Sequence, residues 1–386
     1  MIDLPTILHL WMHYPLQMMV LVLTIFYGAG LIALKRGFKR LVYPDSPELP
    51  SVSIVVSFHN ERRHVEACLR HLLQQDYPRE KLEIIAVDDR STDGTGEALD
   101  ELARQHPRLQ VIHIDDLHPQ FAPKKRAIDR AIRQANGEII LLTDADGRPG
   151  KQWARGMVRL FSRETGMVLG YAPYTTRAPF HRWIHKILAL EYFSHAAVAA
   201  ATTGLGYPVT CVGTNLAYRR RVFLQLNGFG PFRHIHTGDD DLFLQRVRDE
   251  TRWKIRYAVD PETFVWNFPP GSFTQFYHQR LRYASKGFYY PAKVTAILIG
   301  YYFLNVLLFL GTPFAVISGQ PLWPLLLAIF LKGMGEWRFL YSACRRFSSC
   351  AILKYFPLAF ILHVPYVVYF GLLGQFQKFQ WGSRPK

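Results

Sequence analysis

Leu82-Glu83-Ile84-Ile85-Ala86-Val87 runs directly into Asp88-Asp89-Arg90-Ser91-Thr92-Asp93-Gly94-Thr95. An apolar strand pattern therefore ends in two carboxylates and a turn that opens a helix. Upstream, the β-branched run Val52 to Phe58 predicts a strand, and the pattern from about Glu61 to Gln75 predicts a helix. Downstream come a predicted helix over Gly94 to Gln105, a strand over Leu109 to Ile114, a helix over Lys124 to Ala135 and a strand over Glu138 to Thr143. This alternation predicts an α/β fold with a mostly parallel, doubly wound sheet. Such sheets bind ligands beyond the carboxyl ends of their strands. Acidic residues stand at two of those ends, Asp88 and Asp89 on one strand and Asp144 and Asp146 on another.

Beyond this region the composition changes. The chain has 386 residues, 49% of them hydrophobic and only 20% charged, against about 25% charged in an ordinary globular domain. The deficit lies in blocks: Leu16 to Leu34, Val294 to Ile317 and Tyr355 to Phe376 contain no Asp, Glu, Lys or Arg. Each is near the roughly 20 apolar residues that a lipid core requires, so an ordinary soluble protein is excluded. Lys35, Arg36, Lys39 and Arg40 come directly after the first block, and no small-residue cleavage site precedes them. Residues 1–40 thus read as a retained anchor, and the positive-inside rule places the adjoining polar region in the cytoplasm. Three prolines within 41–50 mark a linker, 51–290 is long enough for one sizeable domain, 291–377 reads as about three membrane helices, and 378–386 is a basic tail.

Two segments admit two readings each. Leu322 to Tyr341 starts apolar but carries Lys332 and Glu336 at i,i+4 spacing, which fits a spanning helix with an internal ion pair or an interfacial helix. The four-helix count is adopted. Phe180 to Ala201 mixes Arg182, Lys186 and Glu191 with large apolar residues, which fits a helix at the membrane surface or a buried domain helix equally well. The net charge of +16 points to anionic headgroups and substrates rather than nucleic acid. Cys68, Cys211, Cys344 and Cys350 match no metal-site or disulfide spacing.

Five groups of residues are candidates for chemistry. Asp88 and Asp89 can accept hydrogen bonds from ribose hydroxyls or a base N–H, although Ser91, Thr92 and Asp93 also suit a plain capped turn. Asp144 and Asp146, two apart at a strand end, point the same way and suit Mg²⁺ or Mn²⁺ on a diphosphate. Lys124 and Lys125 offer charge for phosphate, or simply cover a surface helix. Asp239, Asp240 and Asp241 come after Gly238, and three adjacent carboxylates raise the proton affinity of at least one, as a general base requires. Gln279, Arg282 and Tyr283 share a helical face before the second membrane block, where Arg can hold a diphosphate and an aromatic can stack on sugar. His234 and His236 lie near the acidic run, where structural roles suffice for them.

Taken in this order, these elements resemble the membrane-bound family 2 glycosyltransferases, the group that includes cellulose, chitin and hyaluronan synthases, ceramide glucosyltransferase and bacterial envelope enzymes. The resemblance covers about 51 to 290 and the flanking membrane helices. It implies a GT-A type fold, with Asn60 and Glu61 closing the first strand, Asp88 and Asp89 in the uridine and ribose pocket, and Asp144 and Asp146 at the metal and diphosphate. Lys124 and Arg282 are expected on the donor phosphates. Gly213, Thr214 and Asn215, from Gly213-Thr214-Asn215-Leu216-Ala217-Tyr218-Arg219-Arg220, are expected at the acceptor, with Gln279 and with Tyr283 where the family has Trp. Asp240, the second residue of the pair Asp239-Asp240, corresponds to the general base. The implied activity is inverting transfer from a UDP-sugar, with Mg²⁺ or Mn²⁺, to a lipid-linked or saccharide acceptor at the bacterial inner membrane. A small processive β-polysaccharide synthase and a catalytically silent sugar- or nucleotide-binding membrane subunit are the alternatives, and an accessory membrane subunit is left open as a partner.

Overall fold

A computed structural model describes residues 12–285 and 289–376. The expected basic tail, 378–386, lies outside the described residues. The described residues form two compact units, one of residues 37–269 with 346–348, the other of 12–36, 270–285, 289–345 and 349–376.

The strands of the larger unit are β1 (Val52–Phe58), β2 (Leu82–Asp89), β3 (Leu109–Ile114), β4 (Ile139–Asp144), β5 (Arg148–Pro149), β6 (Thr165–Leu169), β7 (Leu216–Arg219), β8 (Lys254–Tyr257) and β9 (Val265–Trp266). Seven of them form one sheet of order β3-β2-β1-β4-β7-β6-β8, while β5 and β9 form a separate ribbon. β1 pairs in parallel with β2 and β4, and β2 with β3, as the alternating pattern predicts. β7 runs antiparallel to both of its neighbours, so the sheet is parallel in its first half and mixed in its second. The chain reaches β7 after long excursions that include a helix, so no βαβ crossover enforces its direction.

Residues Ile54, Val56, Ile84 and Leu141 face one core with Val65, Leu69 and Leu72 of α2 (Arg62–Leu73) and Leu99 of α3 (Thr95–Gln105). Alternate positions Val55, Ile85 and Ile140 are equally buried, and α4 (Pro123–Gln134) packs on β1 and β2. Burial on both faces explains why these strands read as continuous apolar runs. The stretch 41–50 has no regular secondary structure and is pinned to this unit: Tyr77 donates its hydroxyl to Pro50 O at 2.6 Å, and Ser46 N–H donates to Arg159 O at 2.8 Å.

α5 (Trp153–Val158) leads to β6, and α6 (Trp183–Gly204) settles the second ambiguous segment. Tyr192 stacks on Tyr174 at 4.3 Å, Phe193 packs edge-on to Tyr171 and Phe347, and Leu190 and Ala196 to Ala201, Val198 apart, are buried in the unit. From Ile187 onward the helix is packed into the unit's own core, which accounts for Tyr192 and Phe193 without lipid. Trp183 and Ile184 in the first turn and His195 further along are exposed. α7 (Arg220–Gln225) and α8 (Asp241–Glu250) complete the unit.

The second unit contains α1 (Pro15–Lys35), α9 (Phe273–Ala284), α10 (Ala292–Ile317), α11 (Trp323–Arg346, its last residue in the larger unit) and α12 (Phe356–Phe376). Among the described residues, three helices are long and apolar enough to cross a membrane, spanning Pro15–Arg40, Ala292–Ile317 and Cys350–Phe376. The expected fourth, α11, is helical but falls outside that set because of its charges. Its Lys332 is fully buried 2.8 Å from Glu336, and Tyr27 donates its hydroxyl to the same carboxylate at 2.8 Å. The cysteine reading is also corrected: Cys344 and Cys350 form a disulfide. The chain reverses at Ser348, whose φ is +52°, and this brings the two α-carbons to 4.8 Å. Sequence spacing alone carries no trace of that turn.

Candidate active site

Register places the acidic strand ends side by side. Ser57 of β1 pairs with Asp144 of β4, and Phe58 pairs with Asp88 of β2, so the carboxyl ends of three strands open on one edge of the sheet. Lys124, in the first turn of α4, reaches into this edge and ties two distant segments together. Its ammonium lies 2.8 Å from Asp144 Oδ1 and 2.9 Å from Asp239 Oδ2. Burial alone would lower the Lys124 pKa, but the two carboxylates outweigh it and hold the pKa above the usual lysine range. Burial likewise opposes ionisation of Asp144, yet Lys124 and the hydroxyl of Thr214, which donates to Asp144 Oδ2, keep its carboxyl below the usual range. Lys124 therefore acts as an internal counter-ion in this structure, rather than covering the helix surface.

Asp240 is the N-cap of α8 and accepts from its neighbour Asp241 N–H at 2.7 Å through Oδ1. Its Oδ2 accepts from Gly213 N–H at 3.0 Å. Gly238 must precede this run, since its φ is +75° and a Cβ there would stand 2.5 Å from Leu242. Asp239, Asp240, Gly213 and Thr214 thus meet Lys124 and Asp144 in one cluster. That juxtaposition joins Lys124 to Asp239, 115 residues further along the chain.

Asp146 lies beyond β4. Burial and then the charge of Asp144 raise its carboxyl to about 6, and burial followed by Asp146 raises Glu61 to about 7. A cation relieves such a pair. Among the described residues no group of three or more His, Cys, Asp and Glu forms a metal cage. Two carboxylates suit Mg²⁺ or Mn²⁺, which complete their shells with substrate phosphates and water. The residues present fit that ion, with Asp146 the more open ligand and Asp144 already engaged.

The β2 carboxylates point differently from each other. Asp89 is clamped by Arg90, whose Nε and Nη2 donate at 2.7 and 2.8 Å. Asp88 turns toward α3, where Oδ2 lies 3.3 Å from His113 Nδ1 and a Cβ on Gly96 would approach it to 2.7 Å. Its other oxygen, Oδ1, is buried with no hydrogen-bond partner, a costly state that a bound donor group would relieve. Asn60, at φ +55°, accepts from Thr92 N–H at 2.8 Å and shapes the 90–93 loop. His113, which bridges Asp88 and Asp100, escaped the sequence reading. It is registered opposite Asp88 in β3, a relation visible only once strand pairing is known.

Asn215 is corrected. It is fully buried, accepts from Trp153 Nε1 at 2.9 Å and donates to Tyr171 O and Thr263 O at 2.8 Å each. Both of its amide donors and one acceptor site on its oxygen are taken by core groups. Tyr171 O also accepts from Val265 N–H at 3.3 Å, so Asn215→Ala strands Trp153 Nε1 and Thr263 O, and at about 1–3 kcal/mol per buried orphan it is expected to lower unfolding stability by about 2–4 kcal/mol, read as a lower denaturation midpoint. An unchanged midpoint contradicts the assignment. Gln279, Arg282 and Tyr283 lie on α9, in the other unit, where Arg282 packs 5.3 Å from the Tyr283 ring centroid.

Comparison with known proteins bears on the fold. Residues 53–226 match the family described as Glycosyl transferase family 2. Glycosyltransferase AglE of Haloferax volcanii is 29% identical over 219 residues, 55% of this chain and 66% of that protein. Beta-monoglucosyldiacylglycerol synthase of a Synechocystis species is 27% identical over 243 residues, 62% of this chain and 48% of that protein. The chain thus spans about half to two thirds of the length of these two curated relatives. Among solved structures, the mannosyltransferase PcManGT from Pyrobaculum calidifontis, in complex with GDP-Man and Mn²⁺, superposes with a TM-score of 0.59 at 22% identity, covering 93% of this chain and 98% of that one. Residues 53–226 thus match the family 2 glycosyltransferase model and the larger unit has a GT-A-like fold, in a chain that also has helices apolar enough to cross a membrane.

Proposed function

We propose that this chain is an inverting glycosyltransferase that moves a sugar from a UDP-sugar to a membrane-associated, lipid-linked acceptor. The observation that carries the reading is the meeting of Asp144, Asp239 and Asp240 around Lys124 and Gly213 N–H at the open edge of the sheet. Asp88 presents an unsatisfied buried oxygen to the nucleoside, and Arg90 holds Asp89 beside it. Asp146 with Asp144 would hold Mg²⁺ or Mn²⁺, which supplies charge stabilisation to the departing diphosphate.

The remaining work falls to the chain's own groups. Lys124 fixes the orientation of Asp144 and Asp239, so that neither is free to take the acceptor proton. Asp240 is left to remove that proton as the acceptor hydroxyl attacks the anomeric carbon from the face opposite the leaving group. The O–H bond breaks to Asp240, the new glycosidic bond forms, and the old bond releases the nucleoside diphosphate. One displacement inverts configuration. The family resemblance supports that stereochemistry, and a relative named for a glucosyldiacylglycerol product supports a lipid acceptor. The basic residues after α1 support a cytoplasmic catalytic unit.

The test uses the full chain in lipid nanodiscs with Mn²⁺, a panel of UDP- and GDP-sugars, and total lipid extract. Nucleoside diphosphate release that needs one donor and added lipid, and that stops when EDTA removes the metal, is the expected result. Release that persists in EDTA overturns the metal-assisted reading, and release without any added acceptor overturns the lipid one.

A further inference from the structure

A cavity of about 530 Å³ opens between α4 and the loop 227–234, lined by Phe121, Asp129, Arg133, Pro231, Arg233 and His234 among others. A neighbouring cavity shares Phe121, Asp129 and Arg133 and adds Arg126 and Arg130. None of the residues assigned above to donor, metal or acceptor lines either one. The two together form one groove.

The charge of the groove is uneven. Arg126, Arg130 and Arg133 occupy one face of α4 at four- and three-residue spacing. Arg126 is occupied by Asp116 and Arg133 by Asp129, each through two guanidinium contacts or more. Arg130 and Arg233 are exposed and form no hydrogen bond or ion pair through their side chains among the described residues. The lining therefore holds four guanidinium groups against two carboxylates, and two of the four are uncommitted. Guanidinium groups at the rim of a small-molecule-sized cavity suit the planar, two-pronged contacts that phosphate oxygens accept.

The groove is also tied to the site. Ala122 N–H donates to Arg233 O, and Lys125 Nζ donates to Phe232 O, both at 2.8 Å. These bonds fasten the loop to the start of α4, next to Lys124, and a few residues later the same loop delivers Asp239 and Asp240.

We propose that this groove is a second anion-binding site, separate from the donor edge, which takes a phosphate-bearing ligand between Arg130 and Arg233. The phosphate comes either from a soluble molecule or from an acidic lipid headgroup. The proposal goes beyond the transferase reading and does not depend on it, since binding is measured without donor or divalent metal.

The experiment titrates the full chain in phosphatidylcholine nanodiscs, by calorimetry in EDTA. One arm uses inorganic diphosphate and the other uses dihexanoyl phosphatidic acid, a soluble short-chain lipid. Saturable binding in either arm, weakened at least tenfold in Arg130→Gln/Arg233→Gln but unchanged in Asp146→Asn, is the expected result. The arm that binds identifies the source. Arg130→Lys/Arg233→Lys keeps the charge and is expected to lose less, and an unchanged thermal midpoint shows that each variant is folded. Absence of binding in both arms, or equal affinity of the glutamine variant and the parent, overturns the proposal.

Discussion

Asp240→Asn is expected to transfer sugar about a thousandfold more slowly than the parent chain under the proposed function, while keeping its fold and its affinity for nucleotide. The magnitude reflects removal of a positioned general base, worth about 10²–10⁴ in rate. Asn is nearly isosteric and is itself a favoured N-cap, so the bond from Asp241 N–H to the 240 side chain survives. The other bond does not, because the amide NH₂ then faces Gly213 N–H, donor against donor. That mismatch costs about 1 kcal/mol, too little to unfold the unit. Asp239 offers no rescue, since its Oδ2 sits 2.9 Å from the Lys124 ammonium. The measurement is single-turnover transfer under saturating donor, with nucleotide affinity titrated in parallel. A rate within tenfold of the parent removes Asp240 from the role of base. Lost nucleotide binding shows instead that the residue holds the donor pocket together.

Glu336→Leu is expected to destabilise the helical unit by about 3–5 kcal/mol, the usual cost of stranding one partner of a buried ion pair. Lys332 is fully buried, its ammonium 4.9 Å from the ring centroid of Phe360, and Glu336 is the one carboxylate with which it forms an ion pair among the described residues. Tyr27 loses its acceptor in the same change. Lys332→Met/Glu336→Leu, which removes both charges, is expected to recover most of the loss, because a well-packed apolar pair of similar volume is often as stable as a buried salt bridge. Unfolding of the detergent-solubilised chain, arranged as a double-mutant cycle, reads the coupling directly. If the two single losses simply add in the double variant, the pair is not an energetic unit.

The parts of this molecule that were legible in the sequence are those governed by local pattern. β1, β2, β3 and β4 lie within about a residue or two of their predicted positions, because strands buried on both faces must be continuously apolar and the helices between them must be amphipathic. The acidic residues were legible as candidates, because a carboxylate directly after an apolar strand has no place in the core. Their partners were not. Nothing in the local sequence shows that Lys124 grips Asp144 and Asp239 together, that His113 stands opposite Asp88, or that the uncommitted Arg130 and Arg233 face one groove. Each is a relation between segments whose separation is set only when the sheet closes.

Residues that serve one role by composition can serve another once packed. Asn215 sits in a motif associated with the acceptor, yet the approach of Trp153, Tyr171 and Thr263 turns it into a core bracket. The aromatic residues of α6 look membrane-seeking in isolation, yet Tyr174, Tyr171 and Phe347 supply the apolar surface they need. By itself the amino-acid sequence determined the α/β alternation, the acidic strand ends and the apolar blocks near both termini, because periodicity, strand burial and lipid thickness act over one element at a time. Only the tertiary structure decided the direction of β7, the Cys344–Cys350 bond, the contact of Tyr27 with Glu336 and the assembly of the acidic cluster, because these depend on how the chain turns and on which segments share a few ångströms of space.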